Sequence, residues 1–232
     1  MSIIPAPQPL VDQAVDRLRQ DLLSGVHEPG TKLKVDALRA RYGYSSSPLR
    51  EALNRLTQEG LVVVDQRRGF SVAAMSAEDF ADITRLRLIV DLKALAESIE
   101  VGDDEWEVRS VSAFYRLQKV EARFPDGPLV LNAEWSARHK EFHMALLSAT
   151  ISPRLLGMCS NLFDQAERYR RFSARYRSDA RSKSDEHEAI LNAATQRNAG
   201  EATRLLTAHI SRTQQNIDKL FQQGIPMEFD AG

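Results

Sequence analysis

One short segment, Ser45-Ser46-Ser47-Pro48, constrains this chain more than any other, because it sits between two glycine-stopped helical patterns and a basic hairpin. Upstream, Leu10 to Ser24 carries Val11, Ala14, Val15, Leu18, Leu22 and Leu23 at helical spacing and stops at Gly25, and Pro29-Gly30 marks a turn. A second short helix is expected over Val35 to Tyr42, with Val35, Leu38 and Tyr42 on its apolar side and Gly43 as its stop. The serines then supply an N-cap, and Pro48 falls in the first turn, where its missing N–H goes unmissed. The third helix turns Leu49, Ala52, Leu53 and Leu56 inward before Gly60. Leu61 to Val64 and Phe70 to Val72 are β-rich runs flanking Asp65-Gln66-Arg67-Arg68-Gly69, a basic hairpin. Three helices and a hairpin in this order make a winged helix-turn-helix over residues 10–75, its third helix sized for a major groove about 12 Å wide.

From Ser76 onward no strand pattern is visible. Ala77–Val101, Asp103–Phe124, Pro128–Thr150, Ser152–Tyr176, Asp179–Asn198 and Gly200–Gln222 each show helical periodicity. The expected fold is therefore mainly α, a winged helix-turn-helix followed by an all-α antiparallel bundle over residues 76–222. The stripe Leu86, Ile89, Val90, Leu92, Leu95 reads as bundle core. Residues 1–9, with Pro5, Pro7 and Pro9, read as a disordered leader, and 223–232 as a flexible tail.

Composition excludes some classes. The 232 residues are 43% hydrophobic and 27% charged, ordinary for a globular chain, and no run of about 18 apolar residues offers a membrane span. The N-terminus lacks the basic and apolar regions of a signal peptide. With Cys159 as the one cysteine no internal disulfide can form, and a cytoplasmic location is expected. Cys159, among Leu156, Met158 and Leu162, reads as a buried thiol rather than a redox sensor. The net charge of −1 hides a weakly basic head on an acidic body.

Two constellations carry chemistry. On the head, Ser45, Ser46 and Ser47 cluster at a helix N-terminus suited to phosphate, Arg50 follows one turn in, and Arg67, Arg68 and Gly69 form the hairpin tip. In the bundle, His139 and His143 are spaced i, i+4 on one helix, while His187 and His209 lie on two others. Four converging imidazoles would suit Zn²⁺ or Ni²⁺; an i, i+4 histidine pair is also common as surface decoration or as a satisfied core group.

The stretch Leu22 through Val72 resembles the DNA-binding head of the GntR family, with Gly25, Pro29-Gly30, Leu33, Leu38, Ser45, Pro48-Leu49-Arg50-Glu51-Ala52-Leu53, Leu56, Glu59-Gly60-Leu61 and Arg67-Arg68-Gly69-Phe70 in the usual places. The resemblance implies that Arg50 contacts DNA, while Ser46 stands where many relatives carry arginine. The bundle is similar to the FCD ligand-binding domain of the FadR-type members. Their metal motif places an acidic residue four before the histidine of a Phe-His pair, followed by two further histidines. Phe142-His143, Glu186-His187 and His209 match it, and His139 departs from it by occupying the acidic position.

The resemblance further implies a small carboxylate effector beside a divalent ion. Arg87, four residues before Asp91, is the first candidate to bind it, with Arg85 second. The polar segment Asp164 to Arg171 together with Trp135 to His143 is similar to a subgroup of glutarate-responsive repressors, which points to a short dicarboxylate. Tyr169 and Arg170 then either line that pocket or belong to a solvated face. The function implied is a DNA-binding transcriptional regulator, usually a repressor, acting as a homodimer on a pseudopalindromic operator and not an enzyme. A metal-dependent enzyme and a non-inducible DNA-binding protein whose bundle only dimerises are the alternatives.

Overall fold

The computed structural model describes residues 8–65, 67–124, 129–176 and 184–223. The expected leader and tail fall almost entirely outside these residues, as do Gln66, the Pro125–Pro128 turn and the start of the helix expected from Asp179. The described residues up to Met75 form one compact unit, and those from Ser76 onward form another.

In the first unit, α1 (Leu10–Ser24) buries Ala14, Val15, Leu18 and Leu22 along one stripe. It ends at Gly25, whose φ of 77° is the left-handed geometry that leaves the last carbonyls accessible to Gly25 and Val26 N–H. Helix α2 (Val35–Tyr42) closes at Gly43 in the same way. Helix α3 (Ser46–Gln58) turns Leu49, Ala52, Leu53 and Leu56 onto α1. Strands β1 (Val62–Asp65) and β2 (Gly69–Val72) pair antiparallel, Val62 opposite Val72 and Asp65 opposite Gly69. Lys32 adds a bridge to Ser71, so the hairpin is stitched to the segment ahead of α2. Arg19 on α1 grips Glu59 after α3 with two bonds of 2.8 and 2.6 Å. This is a three-helix winged helix-turn-helix, as the pattern predicts.

The second unit is all α among its described residues: α4 (Ala77–Val101), α5 (Asp104–Glu121), a 3-10 turn (Leu129–Leu131), α6 (Ala133–Leu147), α7 (Pro153–Arg175), α8 (Ser184–Thr195) and α9 (Ala199–Gln222). Side-chain caps set the starts. Ser76, Asp103, Asn132, Ser152 and Asn198 each accept a bond from the N–H three residues on. The helix expected from Pro128 begins later for this reason: the chain first makes the 3-10 turn, and Asn132 then caps α6. Helix α4 packs on α7 and α9, α5 on α6 and α8, and α8 on α9. Trp106, fully buried, donates from its indole N–H to the Leu146 carbonyl.

Two expectations about burial are corrected. Leu86 and Ile89 are 39% and 62% exposed, so they are not core. The inward face of α4 instead carries Thr84, Arg87, Val90, Asp91, Ala94, Leu95 and Ser98, because a polar centre lies beneath its middle. The segment Asp164 to Arg170 is not a solvated face either: Asp164, Glu167, Arg168, Tyr169 and Arg170 are all buried. Asp164 pairs with Lys140 and Glu167 with Arg170, which offsets the cost of burying those charges.

Candidate functional site

On the head, α3 presents Arg50 to solvent one turn beyond its start, with Ser45 and Ser47 exposed and Ser46 half-buried beside it. Ser45 is the N-cap residue, but its hydroxyl makes no capping bond, which leaves it and the helix's first N–H groups available to an external acceptor. Leu49, Ala52 and Leu53 anchor the opposite face, so Arg50 is held outward by the core behind it. At the hairpin tip a single Asp65 oxygen accepts from the backbone N–H of both Arg67 (2.7 Å) and Arg68 (2.9 Å). Gly69 completes the turn at a φ of 78°, a conformation that other residues adopt at a cost. Arg67, Arg68 and Gly69 are thus exposed on a shaped tip.

In the bundle, four histidines from three helices converge. His139 and His143 come from α6, His187 from α8 and His209 from α9, and all four are buried at 0–6% exposure. His139 Nε2 lies 3.2 Å from His187 Nε2 and 3.1 Å from His143 Nε2, and one ligand atom from each of the four falls within 4.8 Å of the others. Neighbouring ligands about 2.0–2.1 Å from one tetrahedral ion stand roughly 3.3–3.4 Å apart, close to the two separations that His139 makes with His187 and His143. Burial holds the His143 imidazole well below its ordinary pKa, helped by His209, His187, Arg87 and Arg170. A neutral ring is the form that ligates. His209 is oriented from behind: its Nδ1 bonds Glu186 Oε2 at 3.0 Å, and Glu186 also pairs with Arg212. A carboxylate behind a histidine fixes the tautomer that sends Nε2 forward, the usual support of a metal ligand. Trp135 stacks on His139 at 4.5 Å and 20°, with its indole N–H bonded to Glu121. The donor set fits a borderline divalent ion.

Two guanidiniums share this centre. Arg87 on α4 bonds Asp91 Oδ2 from Nε (2.9 Å) and Nη2 (2.8 Å). Arg170 on α7 bonds Glu167 from Nε (2.8 Å) and the Phe163 carbonyl from Nη2 (3.2 Å). Their Cζ atoms stand 5.3 and 4.2 Å from the centroid of the Phe163 ring, which itself lies 5.4 Å from the rings of both His139 and His143. Arg85 points elsewhere, exposed and paired with Asp82.

Tyr169 is a correction. Successive residues on a helix point about 100° apart, so while Arg170 goes to the centre, Tyr169 goes to the start of α4. There its hydroxyl donates to Asp79 Oδ2 (2.6 Å) and accepts from Ser76 N–H (3.0 Å), and its ring packs 4.6 Å from Phe80. Cys159 is fully buried, as expected, and its burial, with the nearby Asp91 carboxylate, pushes the thiol pKa up, away from the reactive thiolate. The sequence reading missed Glu186 and Arg212 as the support of His209, and Phe163 as the ring both arginines share. No spacing rule marks these contacts, since each crosses between helices.

A winged helix-turn-helix with outward arginines, joined to a helical bundle, is the architecture of a DNA-binding transcriptional regulator. The chain belongs to the GntR family, in its FadR-type branch: residues 10–72 match the bacterial regulatory proteins of the gntR family, and residues 82–212 match the FCD domain. It is 37% identical over 201 residues to the HTH-type transcriptional regulator BphR of Paraburkholderia xenovorans (strain LB400), covering 87% of this chain and 82% of that one. It is 34% identical over 197 residues to the HTH-type transcriptional repressor GlaR of Escherichia coli (strain K12), covering 83% and 89%. Among solved structures, E. coli McbR/YncC shares the fold with a TM-score of 0.75 at 23% identity, over 94% of this chain and 99% of that one. These relatives are regulators rather than enzymes. Among the described residues no helix is long and apolar enough to cross a membrane.

Proposed function

We propose that this regulator is a cytoplasmic, homodimeric repressor whose hold on a pseudopalindromic operator is set by a small carboxylate bound in its helical domain. The observation that carries this is the convergence of four buried imidazoles with two buried guanidiniums around Phe163. His139, His143, His187 and His209 would hold a divalent ion, zinc or nickel by the softness of the donors, and a bound ion supplies coordination positions to carboxylate oxygens. Arg87 and Arg170 would orient the anion, each kept in place by its own carboxylate partner. Repression is supported by the 34% identity with a protein named as a repressor, GlaR.

On DNA, Arg50 would read a base edge from the major groove. Ser45, Ser46 and Ser47 would hold phosphate at the helix start, and Arg67, Arg68 and Gly69 would follow the backbone or minor groove. The head would span residues 10–75 and the effector and dimerisation domain 76–222. Two heads would engage half-sites about one helical turn, roughly 34–36 Å, apart. An effector acts only through different affinity for DNA-bound and free states.

The experiment selects an operator duplex from a random pool with the full-length protein. Its affinity is then titrated with small dicarboxylates and monocarboxylates, with and without a metal chelator. Operator affinity that shifts with a carboxylate and loses that shift on chelation is expected. Affinity indifferent to both would reduce the bundle to a dimerisation device and overturn the effector reading.

A further inference from the structure

The outward face of α3 leads further, on the reading that this helix lies in the major groove. Leu49, Ala52, Leu53 and Leu56 take its inner side. Opposite them Ser47, Arg50, Glu51, Asn54, Arg55 and Gln58 are exposed. At about 100° per residue, Ser47, Arg50 and Asn54 fall within about 60° of one another, a line with the spacing i, i+3, i+7. A recognition helix laid along the groove meets base edges at this spacing. The charged neighbours on the same face are already engaged. Arg55 reaches Asp12 on α1 from Nη1 (2.7 Å) and Glu51 from Nη2 (2.8 Å), which draws both side chains toward α1. Among the described residues, none bonds the side chain of Arg50 or Asn54. Gln58 ends the helix about 12 Å beyond Arg50, past the N-terminal part with which such helices touch bases.

We propose that Asn54 is a second base-reading residue of α3, taking an adenine one or two base pairs from the base that Arg50 reads. Its carboxamide carries an acceptor oxygen and a donor NH2 side by side, the complement of adenine's N6 donor and N7 acceptor in the major groove. Guanine, cytosine and thymine offer no such adjacent donor and acceptor there. Four helical residues advance about 6 Å and stacked bases about 3.4 Å each, which sets the interval from Arg50. Asparagine is short, so the contact requires α3 to lie along the groove for two turns rather than enter by its tip. An uncharged side chain adds sequence discrimination without adding to the charge-driven hold on phosphate, which is blind to sequence.

The test selects an operator from a random duplex pool with the full-length protein, then measures affinity for each single-base variant of it at fixed salt. Wild type should lose about tenfold when adenine is replaced at one position near the pair read by Arg50. Asn54→Ala should shrink that preference to about threefold or less, with its preferences elsewhere within about twofold and its salt dependence unchanged. Asn54→Asp, whose carboxylate only accepts, should move the preference at that position toward cytosine. A deazaadenine lacking the N7 acceptor, placed there, should weaken wild-type binding and leave Asn54→Ala binding as it was. An unchanged adenine preference in Asn54→Ala overturns the inference. So does a uniform loss on all duplexes with a shallower salt dependence, which marks a phosphate contact instead. Should Arg50→Ala also keep every base preference of the wild type, it is the major-groove reading of α3 that fails. If both Asn54 variants misfold, as judged by circular dichroism, wild type on the deazaadenine duplex still decides: undiminished affinity overturns the contact.

Discussion

Replacing Glu186 by glutamine probes the histidine centre without touching a ligand. Glu186 accepts from His209 Nδ1 at 3.0 Å while its other oxygen pairs with Arg212, and its side chain is 22% exposed. The amide oxygen can still accept the imidazole proton, while the amide NH2 can no longer accept from Arg212, whose side chain is 42% exposed and can turn to solvent; the bond to the ligand survives and the charge goes. A hydrogen bond to a charged acceptor is worth about 1.5–3 kcal/mol against about 0.5–1.5 for a neutral one, a loss of about 1–1.5 kcal/mol in support of the ligand. That corresponds to roughly tenfold in affinity, at the lower end of the 10–100-fold typical when a histidine ligand loses its outer partner. A competition titration of Zn²⁺ against a chromophoric chelator should therefore show weaker binding by Glu186→Gln by about one order of magnitude. The unfolding temperature of the metal-free protein should barely move, because the lost charge is partly hydrated. Unchanged Zn²⁺ affinity in Glu186→Gln, alongside abolished binding in His209→Ala, would refute the argument that this carboxylate tunes the centre.

Other outcomes follow from the same geometry. Arg50→Ala should weaken specific operator binding by about 1–3 kcal/mol in a titration of matched and scrambled duplexes while leaving the fold intact, since the side chain lies outside the core. Tyr169→Phe removes the bond to Asp79 and the acceptor of Ser76 N–H, and should lower stability by about 1–2 kcal/mol in chemical denaturation, with Zn²⁺ affinity unchanged. An equally large drop in Zn²⁺ affinity would place Tyr169 at the centre after all. His27 on the head, bonded to Tyr42 at 2.8 Å, has its pKa lowered by burial first and by Arg41 second, against Asp21. The folded state thus resists the proton that the unfolded chain takes up near pH 6.5. This contribution to stability is full above that pH and is lost as pH falls below it. His27→Gln should narrow or reverse its deficit in unfolding temperature between about pH 7.5 and about pH 5.5; a difference constant across that range would refute the titration.

The head was legible because its signals are local. Gly25, Gly43, Gly60 and Gly69 all adopt positive φ, the two β-rich runs are short, and the apolar stripes of α1 and α3 face one core. The bundle was legible as helices but not as faces. Leu86 and Ile89 look like core by spacing alone, yet the inward face of α4 is taken by Arg87 and Asp91, whose partners lie on the same helix and whose neighbours lie on α7. Likewise the charged run on α7 reads as solvated until Glu167, Asp164 and Asp79 are seen beside Arg170, Lys140 and Tyr169.

The sequence by itself determined the winged head, the family and the identity of the four histidines, because caps, glycine stops and hydrophobic period act within a few residues of chain. Tertiary structure alone decided that three helices bring those histidines to one point, that Arg170 joins them while Tyr169 turns away, and that Arg87 and Arg170 both come to the Phe163 ring, each held by a carboxylate of its own helix. Those facts depend on contacts between residues tens of positions apart, where no local propensity reaches and only the packing of whole helices sets the distances.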